Sequence, residues 1–411
     1  MRLLFTSIPS TGHLHPLVPL AIAARAAGHE VAFACAESIR SAVEELGFRT
    51  FAAGLNRDGD GDPEFDALKV RARRLSPGPE MDQLAIADVI YGVRARRMLP
   101  DLLEICRQWR PDVVVRENFE AAAAVAAERL GIPHASVDIM PLFDTGPMQP
   151  AVQEQIDRLR ADAGLGPDPG LHMLHRHLHL CFAPPSLLNP AIPKPATLRT
   201  LRPTFYDQVG SEALPDWVAR MPAQPTAYVT VGTVANRWRT DVFPGMVRTI
   251  LKGLRDEPIN VVVTVGRDAD PAELGPQPSN VHIERFIPHS LLLPHCDLAI
   301  THGGFGTVMG SIDAGLLQVL VPLLVDDPHN ARRCAELGLA RMIRPEELTA
   351  DRTREAVRDV LRDPAYRANL QRIRAEIRAQ PGPDLAVGLL ECLAVDRESP
   401  VRPAARPCAG V

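Results

Sequence analysis

The chain has 411 residues, with 45 Lys and Arg against 50 Asp and Glu, a formal charge of −5. That mild acidity argues against nucleic acid or an anionic membrane as the main partner, since both call for a basic surface. The 46% apolar content excludes a disordered chain, and a length of this order predicts about two domains, each able to bury its own core.

The longest apolar run, Ala121 to Ala127, is closed by Glu120 and Glu128 and falls well short of the roughly 18 residues of a membrane-spanning helix. The N-terminal run from Arg2 to Ile8 meets Pro9, Ser10 and Gly12 too soon to be a targeting core. The seven cysteines are odd in number, scattered and without Cys-x-x-Cys spacing, a pattern that predicts reduced thiols in a cytoplasmic protein rather than a zinc site or disulfide framework.

In chain order, Leu3 to Ile8 reads as a strand, Leu17 to Ala27 as a helix opened by Pro16 and closed by Gly28, and Val31 to Cys35 as the next strand. Val113 to Val115, Ala121 to Leu130 and Ala135 to Val137 repeat the pattern of strand, helix and strand. Uninterrupted, β-branched strands alternating with helices predict a parallel sheet covered on both faces. Prolines crowd residues 185–225. The rhythm then resumes with strands at Tyr228 to Val231, Asn260 to Val265, Val281 to Phe286, Leu298 to Thr301 and Val319 to Leu324. Helices are expected at Phe243 to Arg255 and from about Gly306.

The expected fold is therefore α/β, with two doubly wound, Rossmann-like domains facing across a cleft, because open α/β sheets bind ligands beyond the carboxyl ends of their strands. The predicted boundaries are 1–205 for the first domain, 206–225 for a linker, 226–380 for the second domain, 381–395 for a last helix, and 396–411 for a loose tail. The stretches at about 55–100 and 140–180 read as variable loops.

The segment from Leu298 to Thr307 runs from a strand into His302-Gly303-Gly304-Phe305-Gly306-Thr307 and on into a helix. Glycines let an anion approach the backbone, and a helix N-terminus offers unpaired N–H groups with partial positive charge. His302 and Thr307 add donors, so the segment suits a diphosphate held without metal. A tight turn using glycine for geometry alone serves the local pattern equally well. Gly232-Thr233, ending another strand of the same sheet, makes a second such turn.

His13 lies between the first strand and its helix, at the carboxyl edge of the sheet. A helix N-terminus disfavours the imidazolium, leaving a ring that accepts a proton near neutral pH. Such a base needs an acid to orient it. Glu117, just past Val113 to Val115, stands at the corresponding edge, whereas Asp112 stands at the opposite end of that strand. Capping and surface roles compete for a lone loop histidine.

Other patterns carry less. Asp58-Gly59-Asp60-Gly61-Asp62 resembles the start of a calcium loop, but Pro63 and Lys69 occupy positions that need Gly and Glu; it reads as a solvated, flexible loop. The histidines at 172, 175, 177 and 179 mix helix and strand periods without an interleaved acid or cysteine, and Leu174, Leu178 and Leu180 read as packing residues.

With both sheets in hand, the chain resembles the GT-B nucleotide-sugar glycosyltransferases, closest to bacterial enzymes that decorate antibiotics and other natural products, the enediyne tailoring group included. The likeness runs to about residue 395 and rests on Gly12 to Pro16, Val229 to Thr233, Phe286 to His289, His302 to Thr307, and Pro322 through Asp326 to Asn330. It implies His13 as general base, Glu117 as its orienting acid, and a diphosphate cradle of Gly232, Thr233 and His302 through Thr307. Phe286 stands where the family usually stacks a Trp on the nucleobase, Ile287 would present its backbone to the base, and His289 replaces a common Gln nearby. Asp326 and Asp327 match the pair that binds the donor sugar's hydroxyls. Gly310 replaces a ribose-gripping Glu, which fits a deoxyribose and so a TDP-sugar in preference to a UDP-sugar. The resemblance also implies no cofactor or metal, a small-molecule natural-product acceptor, and a last helix, Leu385 to Ala394, returning to the first domain. A homodimer is compatible with all of this.

The activity so implied is inverting transfer of a (deoxy)sugar to an acceptor hydroxyl. A sugar-nucleotide epimerase on the same architecture and a noncatalytic partner of a true transferase are the rivals. A partner would be expected to lose the base or phosphate residues, and both are present here. A dehydrogenase is disfavoured because no Gly-x-Gly-x-x-Gly follows an early strand.

Overall fold

Leu3, Leu4 and Phe5 are all fully buried, as an unbroken apolar strand must be when helices cover both faces of its sheet. They belong to β1 (Arg2–Ser7), near the middle of a seven-stranded sheet of order β3-β2-β1-β4-β5-β6-β7. The computed structural model describes residues 1–76, 78–141, 143–206, 213–232, 244–267, 269–323 and 325–396. It divides into two units, one of Met1–Phe182, Pro190–Tyr206 and the chain from Gln380, the other of Ala183–Asn189 and Asp207–Ala379.

In the first unit, β1 leads through α1 (Thr11–Leu14) and a 3₁₀ turn at His15–Leu17 into α2 (Val18–Ala26). The helical run thus starts several residues before the expected Leu17. Pro16 and Pro19 are accommodated because each lies in the first turn of its segment, where a missing N–H costs little. Gly28 follows at φ +86, a conformation that glycine adopts without penalty. Next come β2 (Glu30–Cys35), α3 (Glu37–Glu44), β3 (Arg49–Ala52), α4 (Pro63–Ala72) and α5 (Pro79–Gln83). A π-wound segment, Leu84–Arg94, joins α5 to α6 (Ala95–Trp109). β4 (Val113–Glu117), α7 (Ala122–Leu130), β5 (His134–Asp138), α8 (Gln149–Asp162), β6 (Leu178–Cys181) and β7 (Leu198–Thr200) complete this part of the chain.

The second unit holds a six-stranded parallel sheet of order β10-β9-β8-β11-β12-β13. Its strands and helices are β8 (Thr226–Thr230), α9 (Gly245–Leu254), β9 (Asn260–Thr264), β10 (Val281–Glu284), α10 (His289–Leu292), β11 (Leu298–Thr301) and α11 (Phe305–Ala314). They continue with β12 (Leu317–Leu320), α12 (Asp327–Glu336), β13 (Ala340–Met342), α13 (Ala350–Arg362) and α14 (Pro364–Ala379). Strand β12 ends at Leu320, before Pro322, which has no N–H for the ladder; the expected end at Leu324 lies outside the described residues.

The last helix, α15 (Pro383–Asp396), lies in the first unit. Its Ala386, Val387, Leu390 and Leu393 share one buried cluster with Val18 and Ala21 of α2 and with Leu3, Phe5, Val113 and Val115 of the sheet. Truncating such a residue, as in Leu390→Ala, costs about 2–5 kcal/mol.

Three expectations need correction. The supposed loops at 55–100 and 140–180 are largely helical, since α4, α5, α6 and α8 fall there; their charged surfaces hide the apolar period. The Asp58–Asp62 loop is an ordered cap: Asp62 accepts the N–H groups of Glu64 and Phe65, with Pro63 opening α4. Residues 183–189 group with the second unit rather than the first, held by Arg333, which donates to the carbonyls of Ser186 and Leu187.

Candidate active site

Both sheets reverse their strand order beside their first strand, between β1 and β4 in the first unit and between β8 and β11 in the second. Such switch points open a crevice at the carboxyl ends of the strands, where ligands of open α/β sheets bind. His13 follows β1 and Glu117 ends β4; Gly232 follows β8 and His302 follows β11. Each pair of candidate residues therefore flanks a switch point.

In the first unit, His13 Nδ1 lies 3.0 Å from Glu117 Oε1. Glu117 is the last residue of β4 rather than one beyond it, and its side chain is fully buried while that of His13 is 14% exposed. The other carboxylate oxygen accepts the Phe119 N–H at 2.7 Å, which leaves Oε1 directed at the ring. A carboxylate facing Nδ1 favours the ring tautomer that carries its proton there, which leaves Nε2 as the acceptor nitrogen of that tautomer. His13 itself sits inside the short helix α1, not in a loop. Asp112 is bonded to the N–H of Arg2 at the far end of the sheet.

The turn after β4 is stitched by Arg116, which is completely buried and donates to the carbonyls of Glu117, Asn118, Glu120 and Leu174. Glu120 accepts from the Thr6 hydroxyl at 2.5 Å and from the Ala123 N–H at 3.0 Å. Burial, opposed by those bonds, pushes its carboxyl up to about 7. Phe119 stands edge-on to His13 with ring centres 6.4 Å apart, and Tyr91 and Phe143 flank Phe119. The environment of His13 is thus aromatic on one side.

In the second unit, Gly232 and Gly303 have φ of +73 and +89, so the chain takes left-handed turns on leaving β8 and β11. A Cβ on Gly232 would lie 2.5 Å from His302 Cε1, and one on Gly304 2.5 Å from His302 Nε2. The two glycines are thus the walls of the imidazole's slot. Burial pushes the His302 imidazole down to about 4 against the opposing charge of Asp326, so the ring is neutral at physiological pH. Phe305, Gly306 and Thr307 form the first turn of α11, whose N–H groups have no intrahelical acceptor. A Cβ on Gly306 would meet nothing within 4 Å, so that glycine is not required by packing. Thr233 lies outside the described residues.

The remaining candidates fall in the same unit with differing commitments. Phe286 carries the Arg267 guanidinium over its ring at 4.0 Å, so one face is covered by a cation. Ile287 is buried in the cluster with Tyr228, Leu292 and Leu293. His289 Nε2 is 3.0 Å from the Tyr228 hydroxyl, which also bonds Thr264 at 2.7 Å. Asp326 accepts from Asn330 at 2.7 Å, and burial pushes its carboxyl up to about 7. Asp327 turns inward, 4% exposed, with Oδ2 accepting the Leu323 N–H at 3.3 Å. That bond ties Asp327 to the backbone of Leu323, beside the end of β12.

The histidine run forms a hydrogen-bonded network. His179 Nε2 faces Asp138 at 3.2 Å and its Nδ1 faces Ser136 at 2.6 Å and His175 at 3.0 Å. Leu174, Leu178 and Leu180 are buried beside it. Sequence reasoning missed Arg116, Glu120 and Asn330. For Arg116 a signal was present, because a charge directly after Val113-Val114-Val115 in a covered strand must be buried and therefore bonded.

The model of the erythromycin biosynthesis protein CIII-like N-terminal domain matches residues 22–232, and that of the C-terminal domain matches residues 248–393. The chain belongs to the erythromycin biosynthesis protein CIII-like family. Its relatives include the 10-deoxymethynolide desosaminyltransferase of Streptomyces venezuelae, 30% identical over 97% of this chain and 99% of the relative. The tylactone mycaminosyltransferase of Streptomyces fradiae is 30% identical over 96% of this chain and 92% of its own. Among solved structures, the glycosyltransferase VinC in complex with DTDP superposes with a TM-score of 0.77 at 28% identity, covering 96% of this chain and all of its own. The chain is accordingly a natural-product tailoring glycosyltransferase of GT-B fold.

Proposed function

We propose that this protein moves a deoxysugar from a TDP-linked donor to a hydroxyl of a small natural-product acceptor, with inversion at the anomeric carbon and without a metal ion. The observation that carries the reading is the hydrogen bond of His13 to Glu117 at the switch point of the first sheet. It presents a lone pair on Nε2 backed by a buried carboxylate. In this scheme Nε2 takes the acceptor's O–H proton while the oxygen attacks the anomeric carbon. The bond from that carbon to the diphosphate breaks, and its electron pair leaves with the diphosphate. Glu117 stabilises the imidazolium that forms, and general-base catalysis of this kind contributes roughly 10²–10⁴-fold.

The leaving diphosphate is assigned to the glycine turn of the second unit, where the first N–H groups of α11 and the neutral His302 act as donors. Support for TDP comes from the DTDP complex of the similar VinC and from Gly310, which offers no carboxylate to a ribose 2′-hydroxyl. Asp326 is assigned to the donor sugar. Support for a natural-product acceptor comes from the desosaminyl and mycaminosyl transferases among the relatives and from the aromatic flank of His13.

The test is His13→Ala, assayed with a TDP-sugar and titrated with TDP. Transfer is expected to collapse while TDP affinity stays within about threefold of the parent. Undiminished transfer would remove His13 from the mechanism.

A further inference from the structure

Asn330, on α12, is completely buried. Its Nδ2 donates to the Gly303 carbonyl at 2.9 Å and to Asp326 Oδ2 at 2.7 Å. Both partners are acceptors, which fixes the orientation of the amide, since the flipped form would point oxygen at oxygen. Its own Oδ1 is buried without a partner among the described residues. The amide thus makes two bonds with its nitrogen and leaves its oxygen bare, an arrangement that favours those two bonds over its own full satisfaction.

The local backbone agrees. Asp326 holds the N-cap position of α12, where an Asp side chain ordinarily accepts an N–H of the first turn, yet it makes no such bond. Its carboxylate is turned to Asn330 instead. Val325, just before it, has φ +45, a left-handed conformation that β-branched residues rarely adopt and that persists only where the surroundings dictate it. Gly303, at φ +89, is the residue at which the phosphate turn leaves β11, and its carbonyl is the other partner of the amide.

We propose that Asn330 is the positioning residue that locks the glycine turn to the sugar-side carboxylate of Asp326, so that diphosphate and sugar are held as one unit. The proposal rests on the donor-site reading above. With the Gly303 carbonyl fixed, the N–H groups that follow it are fixed in direction. With Asp326 Oδ2 held by the amide, the direction of the carboxyl that would meet a sugar hydroxyl is set. The charged and titratable groups that bear on this carboxyl are His302 from the turn after β11 and Asp327 beside it.

The test uses the full-length protein and TDP as the probe, by titration calorimetry at pH 8 and at pH 5.5. Asn330→Ala removes both bonds. Asn330→Asp keeps the shape but sets a carboxylate against Asp326 Oδ2 and the Gly303 carbonyl. Both are expected to weaken TDP binding at least about tenfold at pH 8. Asn330→Asp alone is expected to recover to within about threefold of the parent at pH 5.5, because the protonated carboxyls can donate again. A merely structural asparagine would lower thermal stability at pH 8 while leaving TDP affinity at the parental value at both pH values. Should Asn330→Ala fail to fold, the isosteric Asn330→Asp carries the test. Parental affinity in Asn330→Asp at both pH values, or equal weakening at both, would overturn the positioning role while leaving the donor site standing. A parent that binds no TDP would overturn the donor-site reading itself, and this inference with it.

Discussion

His13 and Glu117 are 104 residues apart in the chain and 3.0 Å apart in the fold. Two strands bring them together: β1 leads to one, β4 ends in the other, and the two strands are paired in parallel. Replacing the carboxylate is therefore expected to act through the base. Glu117→Gln should lower kcat by roughly 10–100-fold, less than His13→Ala, with TDP affinity unchanged. Steady-state kinetics beside calorimetry would check both, and equal kcat in Glu117→Gln and parent would count against the pairing.

Gly306 separates a cradle from a mere turn. In α11 a Cβ there meets nothing within 4 Å, so Gly306→Ala should stabilise the fold by up to about 1 kcal/mol through helix propensity. If a diphosphate lies against this turn, the same methyl should weaken TDP binding by about tenfold or more. Thermal unfolding and titration on one sample give both readings, and a stabilised variant with parental affinity would remove the phosphate from this position.

Gly304 tests the slot around His302. Its φ of −58 suits any residue, yet an added Cβ would lie 2.5 Å from His302 Nε2. Gly304→Ala should thus displace the imidazole without backbone strain and reduce TDP affinity to a degree similar to His302→Ala. Because burial holds His302 down at about 4, the ring stays neutral between pH 5.5 and 9, and TDP affinity should show no step from its ionisation in that range.

Two sets of buried groups give opposite pH dependence of stability. His175, pushed by burial down to about 2, and His134, pushed well below its ordinary value, stay neutral in the folded chain while the unfolded chain takes up protons below about 6.5. Their contribution is full above that pH and lost as pH falls. Glu120, raised to about 7, keeps its proton in the folded chain over a range where the unfolded carboxyl has lost it. Its contribution is largest at low pH and declines as pH rises from about 4.3 toward 7. Glu120→Gln should therefore gain stability relative to the parent as pH rises from 5 to 8, measured by thermal unfolding. A constant difference would mean that the carboxyl titrates normally.

Arg116 should be intolerant of change. Arg116→Met would leave the carbonyls of Glu117, Asn118, Glu120 and Leu174 without their buried donor. A loss of about 3 kcal/mol is expected, together with reduced kcat, because the turn that carries Glu117 loosens. Parental stability in this variant would show that those carbonyls find other donors.

Much of the architecture was legible because parallel strands buried on both faces write themselves as short, uninterrupted and mainly apolar runs, and the strands β1, β4, β8 and β11 all announce themselves in this way. The helices between residues 55 and 110 were not legible. Their capping relies on single residues such as Asp62, and their exposed faces are charged, so the apolar period is diluted. The relation of His13 to Glu117 was within reach once both were placed at the carboxyl edge of one sheet. The inward turn of Asp327 and the bonds of Asn330 were not, since a side chain's direction at a helix start depends on backbone angles such as that of Val325.

By itself the order of residues determined two parallel sheets, a glycine turn entering a helix, and a histidine after the first strand, because periodicity and turn chemistry are local properties. Only the tertiary structure decided which side chains share hydrogen bonds. Strand order set His13 against Glu117, the left-handed glycines gave His302 its slot, and the packing of α12 aimed one buried amide at both the glycine turn and Asp326. Such contacts depend on which strands become neighbours, and that is settled by burial summed over the whole sheet rather than by any one stretch of chain.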